Sequence, residues 1–235
     1  MQNKLVASLA VSAMTLLLAS PLLWADEQNI SKINGAIRVD SGRQVGSVET
    51  VNGSIQLGDS VRARDIETVS GSIDIGHDCT VGDIETVNGS VTLDRNTQAD
   101  SVETVNGRVR LEEQVEVRDN VTNVNGGITL AKGARIGGHI ENVNGKIELD
   151  GATVGGGIKT TNSDIEIREG SRVDGGIHVE KPDHVGFFPN KRKPKITIGP
   201  NAVVNGTLRF DREVELHISD RATVGKIVGA QPIKE

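Results

Sequence analysis

The chain has 235 residues, a formal net charge of −6, 28 glycines and only 2% aromatic side chains, with three Phe, one Trp and no Tyr. So little aromatic bulk excludes a conventional globule with a large aromatic core, and the wealth of Val and Ile favours strands over helices. The acidic balance speaks against nucleic acid as a partner, because phosphate contacts need basic side chains, and the single Cys79 excludes an internal disulfide.

In chain order, residues 1–25 come first: Lys4, an apolar run from Leu5 to Ala19, and Ala25 before the acidic Asp26 and Glu27. That is the pattern of a secretory signal peptide, although Leu23 stands where a small residue is preferred. The run is shorter than the about 20 residues that cross a bilayer. The expectation is a periplasmic or secreted envelope protein with no transmembrane span once the leader is cleaved.

Residues 26–180 are built from copies such as SVETVNGSIQLG, DIETVSGSIDIG, SVETVNGRVRLE and HIENVNGKIELD. The residue before the repeated glycine falls at Asn34, Asn52, Ser70, Asn88, Asn106, Asn125 and Asn144, at spacings of 18, 18, 18, 18, 19 and 19. An eighth copy follows at Asn162, where Ser163 replaces the glycine. Self-similarity at a fixed period marks a solenoid in which each repeat buries its apolar face against the next.

Inside the repeat runs a six-residue apolar beat: Val45, Val51, Leu57, Ala63, Val69, Ile75 and onward through Val105, Leu111 and Val117. A second apolar residue usually stands two positions earlier, as Ile55 before Leu57, which is the alternation of a strand with one buried face. On every third face the gap is three, as from Ile66 to Val69, and this predicts a bulge that keeps both side chains inside. The fold class read from these patterns is all-β: a single-stranded parallel β-helix (β-solenoid) with about three short strands per coil of 18–19 residues. The general preference for right-handed crossovers suggests a right-handed coil.

The Asn-Gly pair reads as structural. Glycine accepts a corner φ that other residues resist, and an Asn in each coil can hydrogen-bond to its copy above and below. The expected ladder is Asn34, Asn52, Ser70, Asn88, Asn106, Asn125, Asn144 and Asn162. Beside it Glu49, Glu67, Glu85 and Glu103 form an acidic column next to Thr50, Thr68, Thr86 and Thr104, both columns read as outward. Carboxylates stacked about 4.8 Å apart repel by about 0.9 kcal/mol even in water, which is a motive for cations or a basic partner.

The segment from Lys181 to Lys195, KPDHVGFFPNKRKPK, is rich in Pro, Phe and cations and reads as a loop extruded from the solenoid. Phe187, Phe188, Lys191, Arg192, Lys193 and Lys195 make it the candidate partner-binding segment. The beat returns over residues 196–229, and residues 230–235 read as a tail. His77, His139, His178, His184 and His217 are scattered, and Cys79 falls on the inward beat. With no nucleophile–base set and no metal-ligand spacing, the expectation is a protein that is not an enzyme and needs no cofactor.

The copies VNGSIQLG, VNGSVTLD and VNGGITLA, with the closing stretch ITIGPNAVVNGTLRFDREVELHISDRATVGKIVGA, resemble the bacterial adhesin-like β-strand-repeat family and, more distantly, the bactofilins. The bactofilin resemblance implies a helix that polymerises end to end, although a leader departs from those cytoplasmic proteins. The expected function is a structural, self-assembling or interaction scaffold of the envelope, its partner a protein: further copies of itself, giving a homo-oligomer, or an envelope component. The alternative is an adhesin-like module that binds glycan or a cell surface. A polysaccharide-active β-helix enzyme comes third, because the coils lack the decorated loops such enzymes use.

Overall fold

The computed structural model describes residues 28–182 and 192–234. The expected signal peptide lies outside these residues, as do Phe187, Phe188 and Lys191 of the basic segment. The described chain winds into three parallel sheets. The first holds eleven strands from Ile30–Asn34 to Ile227–Val228, and the second eleven from Ile37–Val39 to Ile233–Lys234. The third has seven, from Gln98–Ala99 to Thr223–Val224, and single bridges at Gln44, Arg62 and Thr80 extend it toward the N-terminus. A coil such as Val102–Asn106, Val109–Leu111 and Glu116–Val117 gives one strand to each sheet. The protein is thus a parallel β-solenoid of about eleven turns.

Register follows the repeat. Val48 pairs with Ile66, Ile66 with Ile84, and Ile84 with Val102, so each inward residue lies on its copy in the next coil. Every strand therefore finds its backbone partners only in the coils above and below, as a quasi-one-dimensional fold requires. The stack continues across residues 183–191: Ile165 pairs with Ile196 and Ile177 with Leu208, so the chain resumes in register after the basic segment. Lys195 already opens the strand Lys195–Ile198, one residue inside the expected loop, and the expected tail adds the strand Ile233–Lys234 beside Ile218.

The core corrects the six-residue beat on one face. In the strand Ile66–Ser70, Ile66 and Thr68 point inward and Glu67 and Val69 outward, in plain alternation with no bulge. Val51, Val69, Val87, Val105, Val124 and Val143 therefore do not join the main core. Val105, Val124 and Val143 form a separate cluster with Val87 against it, while Val51 is 43% exposed. The Thr column, expected outward, is buried: Thr50, Thr68, Thr86 and Thr104 take the interior position.

Hydrogen bonding explains the exchange. Thr68 Oγ1 donates to the carbonyl of Gly53 at 3.0 Å, and Thr104 Oγ1 to that of Gly89 at 3.1 Å. Where the coil lengthens to 19 residues, Asn123 and Asn142 replace Thr, and their amides donate to Gly107 and Gly126 at 2.9 and 3.1 Å. An unpaired buried carbonyl costs about 1–3 kcal/mol, so this corner selects a short side-chain donor over an aliphatic residue.

The same corner adds a second role for the repeated glycine. A Cβ at Gly89 or Gly107 would sit 1.8 Å from the carbonyl oxygen of the glycine one coil before, and neither residue has a left-handed φ. Close approach between coils demands glycine at these two positions, and Gly35, Gly71, Gly126 and Gly145 of the same column take the positive φ, 102–157°, that the sequence predicts. A second left-handed corner lies in the turn after the second strand. Gly42 opens that column, Ser60, Asp78, Asn96 and Gln114 hold φ of 57–60° in the next coils, Gly133, Gly151 and Gly170 follow, and Asn201 again takes φ 57°.

Candidate interaction face

The expected Asn ladder is present. The Asn52 amide donates to Asn34 Oδ1 at 3.1 Å, Asn106 to Asn88, Asn125 to Asn106, Asn144 to Asn125 and Asn162 to Asn144, each at 3.0 Å. Ser70 is too short to span a coil and stands in the column between Asn52 and Asn88. At the far end the Arg212 guanidinium donates to Asn162 Oδ1 and to the carbonyls of Thr161 and Arg192. These amides use their hydrogen-bonding capacity along the solenoid, which makes the column a staple of the fold.

The acidic column also forms. Glu49, Glu67, Glu85 and Glu103 occupy successive rungs of the first sheet, facing out. All four carboxyls are pushed above the usual carboxylate range, chiefly by partial burial and then by neighbouring carboxylates, among them Asp65 and Asp83. Glu67, with Glu49 and Glu85 on either side, is raised to about 7. No cation contributes to any of these shifts.

Next to the carboxylates runs the aliphatic column that the six-residue beat assigned to the core. It starts at Ile33, 73% exposed, and runs through Val51, Val69, Val87, Val105 and Val124 to Val143. A cavity of about 60 Å³ opens on this face, lined by Val51, Val69 and Val87 together with Glu49, Glu67 and Glu85. The signal that finds this face is the phase of the alternation: counting by two from Ile66 puts Thr68 inside and leaves Glu67 and Val69 outside together.

Further along, the same columns change character. Glu141 is followed in its column by Lys159, His178 and Arg209, and Val143 in its column by Thr161, Glu180 and Asp211. Here opposite charges lie side by side. Lys159 reaches Glu141 at 3.5 Å and Glu180 at 3.3 Å, and His178 and Arg209 each approach Asp211 at 2.8 Å. Asp211 is accordingly held below the usual carboxylate range by hydrogen bonds from Arg209 and His178.

The described part of the basic segment is bound to its own solenoid. Arg192 pairs with Asp164, Lys193 with Glu213 at 2.9 Å and Lys195 with Glu215 at 4.0 Å. Glu213 and Glu215 are lowered by hydrogen bonds from Lys193 and His217, respectively. These three cations anchor the base of the segment rather than forming one free cluster. Cys79 is buried and its thiol pushed up by desolvation, the opposite of an activated nucleophile. Among the described residues no group of three or more His, Cys, Asp or Glu is arranged to hold a metal ion, and no helix is long and apolar enough to cross a membrane. Comparison with known proteins finds no family model, curated protein or solved structure that matches the chain.

Proposed function

We propose that the protein is a non-catalytic scaffold of the cell envelope that adds copies of itself end to end. The observation that carries this reading is the incomplete burial of the core at both ends of the stack. Ile30 and Ile227 occupy the same inward column of the first sheet, and both are only partly buried, whereas Val48, Ile66, Ile84, Val102 and Leu208 between them are fully enclosed. Ile233 in the last strand of the second sheet is half exposed. Edge strands with aliphatic residues and unused hydrogen-bonding groups are templates for further pairing. In head-to-tail addition the strand Ile227–Val228 of one copy would lie against Ile30–Asn34 of the next, continuing the parallel register and covering both residues. The resemblance to bactofilins agrees with this mode of assembly.

Electron microscopy and analytical ultracentrifugation over a concentration series test the proposal. Rods lengthening in multiples of one solenoid, shortened by Ile227→Lys, support it. A strictly monomeric particle at every concentration refutes it.

A further inference from the structure

We infer that the outer face of the first sheet between Ile33 and Val87 is a docking surface for a cationic amphipathic segment of a partner polypeptide. The molecule contains its own control for this inference. Past Val143 the same two columns become Lys159, His178 and Arg209 beside Thr161, Glu180 and Asp211, a lattice of ion pairs suited to water. The earlier coils use the identical backbone positions for an unbroken aliphatic column beside four carboxylates that no cation compensates. Ile33 and Val51, with the partly exposed Val69 and Val87, make a contiguous apolar patch, the mark of an interaction site, whereas Val105, Val124 and Val143 further along the column are buried. The carboxylates beside it reject an acidic partner and fix the sign of the charge that can sit there.

The geometry favours a helix lying along the solenoid axis. Coils repeat about every 4.8 Å and helix turns about every 5.4 Å, so side chains from successive turns meet successive coils. The accessible stretch from Ile33 to Val87 crosses three coil steps, about 14 Å, which is the length of a helix of about 10 residues. Apolar residues at the usual helical spacing would cover the valines, and Lys or Arg along one flank would meet Glu49 to Glu103. The cavity beside Val69 accepts one side chain of such a segment. This surface is lateral and does not depend on end-to-end stacking.

The test uses the whole protein and two synthetic 18-residue helical peptides with one Leu face, flanked by Lys in the first and by Glu in the second. Titration calorimetry at low salt is expected to give saturable one-to-one binding of the Lys peptide at least tenfold tighter than any binding of the Glu peptide. The triple substitution E67Q/E85Q/E103Q should weaken it about tenfold, and K159Q/E180Q in the later coils should leave it unchanged. The Gln variants keep shape and remove repulsion, so an unaltered far-ultraviolet spectrum and Tm at least equal to the parent's separate lost docking from lost folding. Equal binding of the two peptides, absence of binding, or indifference to the triple substitution would overturn the inference. So would a cross-link from Val69→Cys that joins two copies of the protein instead of protein to peptide.

Discussion

The coils from Val48 to Val117 and those from Ile140 to Ile218 enclose the same kind of aliphatic core but meet the surroundings differently. In the first group the outer face of the first sheet pairs a Val column with carboxylates that repel one another. In the second, Lys159 pairs with Glu141 and Glu180, Arg209 pairs with Asp211, which His178 also reaches by a hydrogen bond, and on the next sheet Lys146 bridges Glu148 and Glu166. Turn chemistry varies along the stack as well: left-handed turns at Ser60, Asp78, Asn96 and Gln114 give way to Gly133, Gly151 and Gly170, and Asn201 returns a side chain to that turn. A solenoid can hold its interior constant while each stretch of exterior is set for a different neighbour, because the side chains of the early Glu and Val columns, unlike the Asn ladder, carry no hydrogen bonds from coil to coil among the described residues.

The largest effect belongs to the tight glycine column of the early coils. Gly107→Ala places a Cβ 1.8 Å from the Gly89 carbonyl oxygen and should cost roughly 3 kcal/mol or more, read as a large fall in Tm by circular dichroism. Position 163 already carries a side chain, and its buried hydroxyl has no hydrogen-bond partner. Ser163→Ala should therefore raise stability, by about 1 kcal/mol. If both substitutions proved equally harmless, the contrast between the two coil joints would fail.

Next comes the acidic column, where linkage sets the sign. The four glutamates titrate higher in the folded protein than their ordinary 4.5, so the folded state binds protons more tightly. Their contribution is full below about pH 4.5 and is lost as pH rises toward 7, the folded value of Glu67. Tm should be several degrees higher at pH 5.5 than at pH 8, with each kcal/mol worth about 2–4 °C in a chain of this size. In E67Q/E85Q the difference should shrink, mainly because stability at pH 8 rises. The later coils act in the opposite sense: Glu166, Asp174, Asp211 and Glu215 titrate low, so they lose stability only in stronger acid.

Smaller effects sharpen the turn and ion-pair contrasts. Gln114 sits at φ 60°, a conformation that costs a residue bearing a Cβ about 1–2 kcal/mol. Gln114→Gly should therefore stabilise by about 0.5–1 kcal/mol once the entropy of glycine is deducted, and Gly133→Gln should do the reverse in urea denaturation. Lys159→Gln should cost less than about 1 kcal/mol, a loss that vanishes at high salt, because partly exposed ion pairs contribute little. A larger, salt-independent loss would mean that the later face is held together by packing instead of charge.

The coil period, the parallel stack and the Asn ladder were legible in the sequence because stacking repeats one residue per column: Asn106 must find Asn88 and Asn125 wherever the coil is 18 or 19 residues long. The phase of one face was not. Apolarity alone drew Val69 inward and Thr68 outward, since the buried carbonyl of Gly53 that selects Thr68 exists only after coils stack. With that phase wrong, Glu67 was visible as a column member, but its aliphatic neighbour was hidden in the assumed core. The C-terminal end of the basic segment falls one residue earlier than expected: Pro and Lys argue for a loop, whereas Lys195 pairs with Glu215 in a strand and its backbone N–H donates to the Asp164 carboxylate.

Carbon-13 NMR titration of the glutamate side-chain carboxyls reads the desolvated, uncompensated character of the early face most directly. The midpoint for Glu67 should lie near 7, with Glu49, Glu85 and Glu103 also above 4.5. A Glu67 midpoint near 4.5, the value of a freely hydrated side chain, would contradict the account.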